Sequence, residues 1–103
     1  MLEKTIEGKL KAPVKALGGL CLKWESPAFT GVPDRLILLP GARVVMVETK
    51  APGKRERKRQ ELVQAQLRAL GFTVFSTVDS PEKVQRVIEH CQRLVTGGKE
   101  ADE

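Results

Sequence analysis

Gly31-Val32-Pro33-Asp34-Arg35-Leu36-Ile37-Leu38-Leu39-Pro40-Gly41-Ala42-Arg43-Val44-Val45-Met46-Val47-Glu48-Thr49-Lys50 is the stretch on which the fold turns. Two short apolar runs, Leu36 to Leu39 and Val44 to Val47, are separated by Pro40-Gly41, a break that predicts a β-hairpin. With the turn centred near Gly41 and Ala42, residues facing each other have numbers summing to about 82 or 83. Asp34 and Glu48 meet that condition, so their carboxylates are expected side by side on neighbouring strands. Side chains alternate along a strand, which sends Glu48 and Lys50 to the same face. Two acids and one amine are therefore expected to converge on one patch.

The chemistry of such a patch follows from charge. Adjacent carboxylates repel and gain from closeness only with a cation between them. Oxygen ligands select a hard ion, here Mg²⁺ or Mn²⁺, which lowers the pKa of water and neutralises charge on a phosphate oxygen. Lys50 would orient or deprotonate an attacking water, or stabilise the five-coordinate phosphorus centre. The backbone carbonyl of Thr49 is an additional candidate ligand. The structural alternative has Asp34 capping a turn and Glu48 pairing with Lys50 on a solvated sheet face. An isolated E-x-K favours that alternative because the pattern is so short. Gly31-Val32-Pro33-Asp34 at hairpin spacing ahead, and a basic segment behind, favour a site.

The flanking sequence reads as a scaffold. Ile6, Leu10, Val14 and Leu17 recur at helical spacing, with Pro13 expected to kink or shorten the helix and Gly18-Gly19 to stop it. Leu20 to Trp24 suits a first strand, and 26–30 a loop. After Ala51-Pro52-Gly53, a second helix is expected from about Arg57 to Leu70, with Val63, Leu67 and Leu70 inward. Thr73 to Val78 is dense in β-branched residues and reads as the fourth strand. Ser80-Pro81-Glu82 is a helix start, with an N-cap, proline at the first position and an early acid. Val84, Val87, Ile88, Cys91, Leu94 and Val95 carry its inner face to Gly97-Gly98, leaving 99–103 as a frayed tail. A right-handed crossover through the second helix would set the fourth strand parallel to its partner in a mixed sheet.

Composition fits one small domain facing a polyanion. The chain has 103 residues, enough for a single core, and 18 Lys and Arg against 13 Asp and Glu, a formal charge of +5. Lys54, Arg55, Arg57, Lys58 and Arg59 cluster directly after Lys50. A charge run is usually a solvated loop. Beside a metal patch it reads as a set of phosphate contacts, blind to base sequence and strongly salt-dependent. Trp24, Phe29, Phe72 and Phe75 are the only aromatics apart from the imidazole of His90. A stacking platform for single strands is disfavoured, and backbone recognition of duplex is favoured.

Cys21 and Cys91 are far apart and form no C-x-x-C, so zinc and a Cys–His nucleophile pair are disfavoured. They are expected as small core residues in a reducing compartment. No apolar run spans a membrane and no signal-peptide core opens the chain, which points to the cytoplasm of a bacterial or phage-infected cell.

The succession Gly31-Val32-Pro33-Asp34-Arg35-Leu36, Val47-Glu48-Thr49-Lys50-Ala51-Pro52-Gly53, Gln60 and Leu67-Arg68-Ala69-Leu70-Gly71 resembles the virus-type replication-repair nuclease domain, VRR-NUC, of the PD-(D/E)XK superfamily. Gly18-Gly19 and Lys23 upstream, and Val74-Phe75 with Asp79-Ser80 downstream, extend the resemblance over roughly residues 3–90. It implies a restriction-endonuclease-like α/β fold, an αβββαβ core with a mixed four-stranded sheet flanked by helices, occupying residues 1–98. By the same resemblance Asp34 and Glu48 would be metal ligands, beside the Thr49 carbonyl already singled out, and Lys50 the catalytic lysine. Gln60 would be the supporting glutamine of the following helix, and Glu7 an acid near the metal. Lys23 would join the basic cluster in contacting nucleic acid. The implied activity is divalent-metal-dependent cleavage of branched DNA, in the manner of a Holliday-junction resolvase or a flap-type endonuclease. A homodimer would present two sites to two strands.

Two other classes fit the composition. A non-catalytic DNA-binding module would use the same basic segment, but acids facing phosphate are then unfavourable unless a metal lies between them. An interaction protein would use the basic surface against an acidic partner, and nothing in the sequence selects one.

Overall fold

The computed structural model describes residues 2–101, with side chains through residue 97. The chain runs α1 (Glu3–Ala16), β1 (Leu20–Lys23), β2 (Arg35–Leu39), β3 (Arg43–Thr49), α2 (Lys58–Ala69), β4 (Thr73–Val78) and α3 (Pro81–Ala101). The four strands form one sheet in the order β1-β2-β3-β4. β1/β2 and β2/β3 are antiparallel, and β3/β4 is parallel. This is the mixed sheet that a hairpin followed by a helical crossover demands.

The hairpin register is the expected one. Leu39 faces Arg43, Ile37 faces Val45, and Arg35 faces Val47. Gly41 (φ 81°) and Ala42 (φ 58°) both adopt left-handed backbone, which turns the chain tightly enough to fix that pairing. Ile37, Leu39, Val45 and Val47 project to one face and meet Ile6, Leu10 and Val14 of α1 and Val84, Val87, Ile88 and Cys91 of α3 in a single core. α2 covers the opposite face, where Glu48 meets Gln60. Gln64 of α2 is only 2% exposed, and its Oε1 accepts from the Ser76 hydroxyl of β4.

Three elements depart from the sequence reading. Pro13 lies inside α1 without ending it: placed in the last turn, it leaves its own carbonyl to accept from Leu17 N–H at 3.2 Å. Leu70 does not point inward. It is the C-cap of α2 and 74% exposed, because the buried stripe of that helix is narrow and runs through Val63 and Gln64. Finally, α3 continues through Gly97-Gly98 to Ala101 rather than stopping at the glycines. Residues 102 and 103 of the expected tail lie outside the described residues. The Ser80 N-cap is present, its hydroxyl accepting from Lys83 N–H at 3.3 Å. Cys91 is buried and Cys21 half-buried, both as free thiols.

Candidate active site

The end of β3 delivers three consecutive residues to two neighbouring clusters. Glu48 and Lys50 face α2, as strand alternation requires. Lys50 Nζ donates to Glu48 Oε2 at 2.9 Å and to Gln60 Oε1 at 3.1 Å. Gln60 sits in the first turn of α2, where its Oε1 also accepts from Arg57 N–H at 2.8 Å and its Nε2 donates to Glu48 Oε2 at 3.3 Å. The amide thus ties the helix start, the lysine and the acid together with both of its ends in use. The Glu48–Lys50 pair is not on a solvated face: the two side chains are 4% and 13% exposed.

Asp34 and Thr49 make the second cluster, with α1. Thr49 donates its backbone N–H to Asp34 Oδ1 at 2.7 Å and its hydroxyl to Asp34 Oδ2 at 2.5 Å. The same hydroxyl lies 3.3 Å from Glu7 Oε1 and 3.5 Å from Glu3 Oε1. Carboxylate oxygens of Glu3, Glu7 and Asp34 all fall within 4.8 Å of one another. Arg35, buried beside them, donates to Glu7 Oε2 at 2.6 Å and so holds that acid in place. Asp34 therefore stands opposite Glu48 by register, yet its carboxylate turns to Thr49 and α1 while Glu48 keeps Lys50 and Gln60. The expected single patch is two half-sites meeting at Glu48-Thr49-Lys50.

Electrostatics across the two halves are those of a place short of positive charge. Burial, the hydrogen bond with Glu7 and the charge of Glu48 push Asp34 up to about 7, against the opposing bonds from Thr49. Burial also raises Glu7, but its hydrogen bonds with Asp34 and Arg35 and the Arg35 charge outweigh this and hold it below the ordinary glutamate value. Of the two, Asp34 holds its proton to the higher pH. Burial raises Glu48 too, with Lys50 opposing and Glu56 adding to the rise.

The residues present fit a hard divalent cation. Glu48 Oε1 is buried without a hydrogen-bond partner among the described residues, an orphaned acceptor of the kind a cation satisfies. The neighbouring donor set is entirely oxygen, with no imidazole or thiolate in it.

The basic residues divide by what they touch. Lys54, Arg55, Arg57 and Lys58 are exposed, and Lys54 and Arg55 line a cleft of about 530 Å³ together with Glu56, Glu61, Thr77, Asp79 and Lys83. Arg59 is committed elsewhere: its Nε donates to Thr30 O at 3.1 Å, and its guanidinium lies 4.9 Å from the Phe29 ring centre. Gly31 (φ 94°) permits this docking, since a Cβ there would lie within about 3.1 Å of Arg59 and Val63 atoms. Lys23 is exposed at the far edge of the sheet and pairs with Glu25 at 3.3 Å.

No protein-family model matches the sequence. "Putative nuclease p44" of Acyrthosiphon pisum secondary endosymbiont phage 1 is 43% identical over 73 residues, covering 71% of this chain and 78% of that protein. A solved structure described as "VRR_NUC domain" superposes with a TM-score of 0.77 at 30% identity, covering 85% of this chain and 95% of the other. The chain belongs to the VRR-NUC family. The VRR-NUC fold thus accounts for the three helices and the mixed sheet described above.

Sequence reasoning assigned no role to three residues that the structure places in or beside these clusters. Arg35 carried a signal, being next to Asp34 and in strand phase with the buried Ile37 and Leu39, yet its pairing with Glu7 depends on how α1 crosses the sheet. Glu3 stands four residues before Glu7 and shares its helix face. Glu56, the sole acid in the basic segment, accepts from both the backbone N–H and the hydroxyl of Thr77.

Proposed function

We propose that this VRR-NUC domain is a divalent-metal-dependent DNA endonuclease acting on branched DNA, with Holliday-junction resolution as its reaction. The observation that carries this reading is the buried Glu48–Lys50–Gln60 unit, with one Glu48 oxygen unpartnered, set against the Glu7–Asp34 acids. Asp34, Glu48 and Glu7, with the Thr49 carbonyl, would hold Mg²⁺ or Mn²⁺. When bound, the ion supplies a lowered water pKa and neutralisation of the phosphate charge.

The chain's own residues supply the rest. Lysine has three N–H donors, and two of Lys50's are occupied by Glu48 and Gln60. The third is directed by those two bonds and serves the attacking water or a non-bridging phosphate oxygen. Water oxygen attacks phosphorus and gives up one proton to solvent, the P–O bond to the leaving oxygen breaks, and that oxygen takes up a proton from solvent. Gln60 locks the position of Lys50 and Glu48 against α2, so that little reorganisation accompanies the step. Lys54, Arg55, Arg57 and Lys58 contact the sugar-phosphate backbone, which carries no base sequence, and this supports selection by DNA shape. A two-fold dimer would supply a site to each of two opposing strands of a junction.

The test is cleavage of labelled linear duplex, flap and four-way-junction DNA with Mg²⁺, Mn²⁺ or EDTA, wild type beside Lys50→Ala. Metal-dependent junction cutting lost in the variant is the expected result, with a rate reduction of roughly 10²-fold or more. A preference for flaps would transfer the assignment to a flap endonuclease. Shape-selective binding without cutting in any metal would make the domain a DNA-binding module. Sedimentation of the protein alone would decide whether it is a dimer.

A further inference from the structure

The basic segment after Lys50 contains one acid, and that acid is half-buried, unlike the exposed cations around it. Glu56 turns inward and accepts two hydrogen bonds from a single residue, Thr77, one from its backbone N–H and one from its hydroxyl. Thr77 has φ 51°, left-handed backbone that a β-branched residue rarely adopts. It occupies a bulge: Val47 pairs with Phe75 but Thr49 with Val78, so β4 spends three steps where β3 spends two, opposite Glu48. Bulges beside functional sites re-aim side chains, and an unfavourable backbone of this kind persists only where its surroundings hold it. Here the holders are Glu56 and Lys83, whose Nζ donates to Thr77 O at 3.2 Å.

The consequence for the segment is geometric. Residues 51–57 open with a turn closed by Lys54 N–H to Ala51 O (3.0 Å) and end where Arg57 N–H donates to Gln60 of α2. Lys54, at the close of that turn, and Arg55 after it are both exposed and both line the cleft that Glu56, Thr77 and Lys83 also line. Lys83 pairs with Asp79 at 3.0 Å, and Glu56 is occupied by Thr77, so the cleft's uncommitted cations are Lys54 and Arg55. Without the grip on Thr77 nothing else described ties the middle of the segment to the sheet.

Building on the nuclease reading, we propose that Glu56 is a positioning residue for the DNA backbone. Its grip on the Thr77 bulge fixes Lys54 and Arg55 as a cationic wall of the cleft, so it sets substrate affinity rather than the rate of the chemical step.

The test uses the full chain with Glu56→Ala, Glu56→Gln and Thr77→Val. The segment is rich in trypsin sites, so limited trypsin digestion of the native protein reports its fixation directly, whether or not DNA is present. Glu56→Ala should be cut within residues 54–59 about tenfold faster than wild type. Its KM for a labelled four-way junction should rise about tenfold with kcat within about twofold, and the salt slope of binding in Ca²⁺ should fall by up to about two. Glu56→Gln should recover part of each effect, since its Oε1 still accepts the Thr77 N–H. Thr77→Val removes only the hydroxyl and should lie between, and it carries the same comparison if Glu56→Ala fails to fold. A fall in kcat at unchanged KM, or an unchanged trypsin pattern, would overturn the proposal. Wild type that neither binds nor cuts DNA would sink the nuclease reading instead, leaving the trypsin comparison to decide the clamp.

Discussion

Replacing Asp34 with asparagine should make the metal-free protein more stable at pH 8 while abolishing its cleavage. Asp34 is held at about 7 against an ordinary value of 3.8 by burial, by Glu7 and by the charge of Glu48. A raised carboxyl pKa means the fold favours the protonated form. The stability this confers is complete below about pH 4 and is lost as pH rises through about 7. At pH 8 the protein must carry the ionised form, at a ceiling near 4 kcal/mol from about three pKa units. Asp34 is only half-buried, and solvent screening reduces this to about 1–2 kcal/mol. Asparagine keeps an oxygen for the Thr49 N–H and gains an amide donor towards Glu7, without any ionisation to oppose. In EDTA at pH 8 the variant should melt roughly 5–10 °C above wild type, by the usual 4–8 °C per kcal/mol for a domain of this size. At pH 5.5 the gap should be roughly half of that at pH 8, and it should close only below about pH 4, where Asp34 is protonated in the unfolded chain as well. The comparison is a pair of thermal melts at each pH, and other groups such as His90 cancel in the difference. A variant no more stable than wild type at pH 8, or a gap that does not change with pH, would refute the reasoning. Adding Mn²⁺ should reverse the order, raising wild type and leaving Asp34→Asn unchanged.

Four further outcomes follow from the same geometry. Mn²⁺ affinity by titration calorimetry should rise by up to about tenfold per pH unit from pH 5.5 to about 7 and then level, because binding displaces the proton that Asp34 keeps; a flat profile would remove Asp34 from the ligand set. Arg35→Ala should lower stability in urea by about 3 kcal/mol at unchanged m-value, since it leaves Glu7 near Asp34 without its 2.6 Å partner. Combined Lys54→Ala and Arg55→Ala should reduce the salt slope of DNA binding by about two. Arg59→Ala should leave that slope unchanged and cost about 1 kcal/mol of stability, because its guanidinium is spent on Phe29 and Thr30.

The hairpin was legible because two independent constraints agree. The apolar runs must point Ile37, Leu39, Val45 and Val47 into one core, and the Pro40-Gly41-Ala42 turn admits only one register that does so. That register fixes Glu48 and Lys50 on one face, and helical spacing brings Gln60 to them from α2. What alternation could not give is the direction of Asp34. It precedes β2 by one residue, outside the pleat, and its carboxylate follows the Thr49 N–H and hydroxyl instead. The bulge at Thr77 was equally hidden, since threonine favours ordinary strand backbone and the residue that holds it, Glu56, lies 21 positions away. Leu70 failed for a different reason: periodicity reports an apolar face, and a helix that covers its sheet through a narrow stripe buries Gln64 with a polar partner and leaves its last leucine in water.

These gaps share a cause that bears on how the site works. Local pattern places backbones, whereas a carboxylate goes to whichever donor lowers its charge, and around Thr49 the donors are outnumbered. Four acids, Glu3, Glu7, Asp34 and Glu48, converge on the end of β3, with Arg35 and Lys50 as the buried cations beside them. Arg35 is consumed by Glu7 and Lys50 by Glu48, so the remaining excess of negative charge is met by a proton on Asp34. A divalent ion would replace that proton and satisfy the orphaned Glu48 oxygen together. The same event would join the two half-sites, because it alone draws Asp34 and Glu48 to a common partner. On this view the split arrangement is the metal-free state of one site, and Asp34→Asn stabilises that state because it removes the charge while keeping an acceptor for the Thr49 N–H.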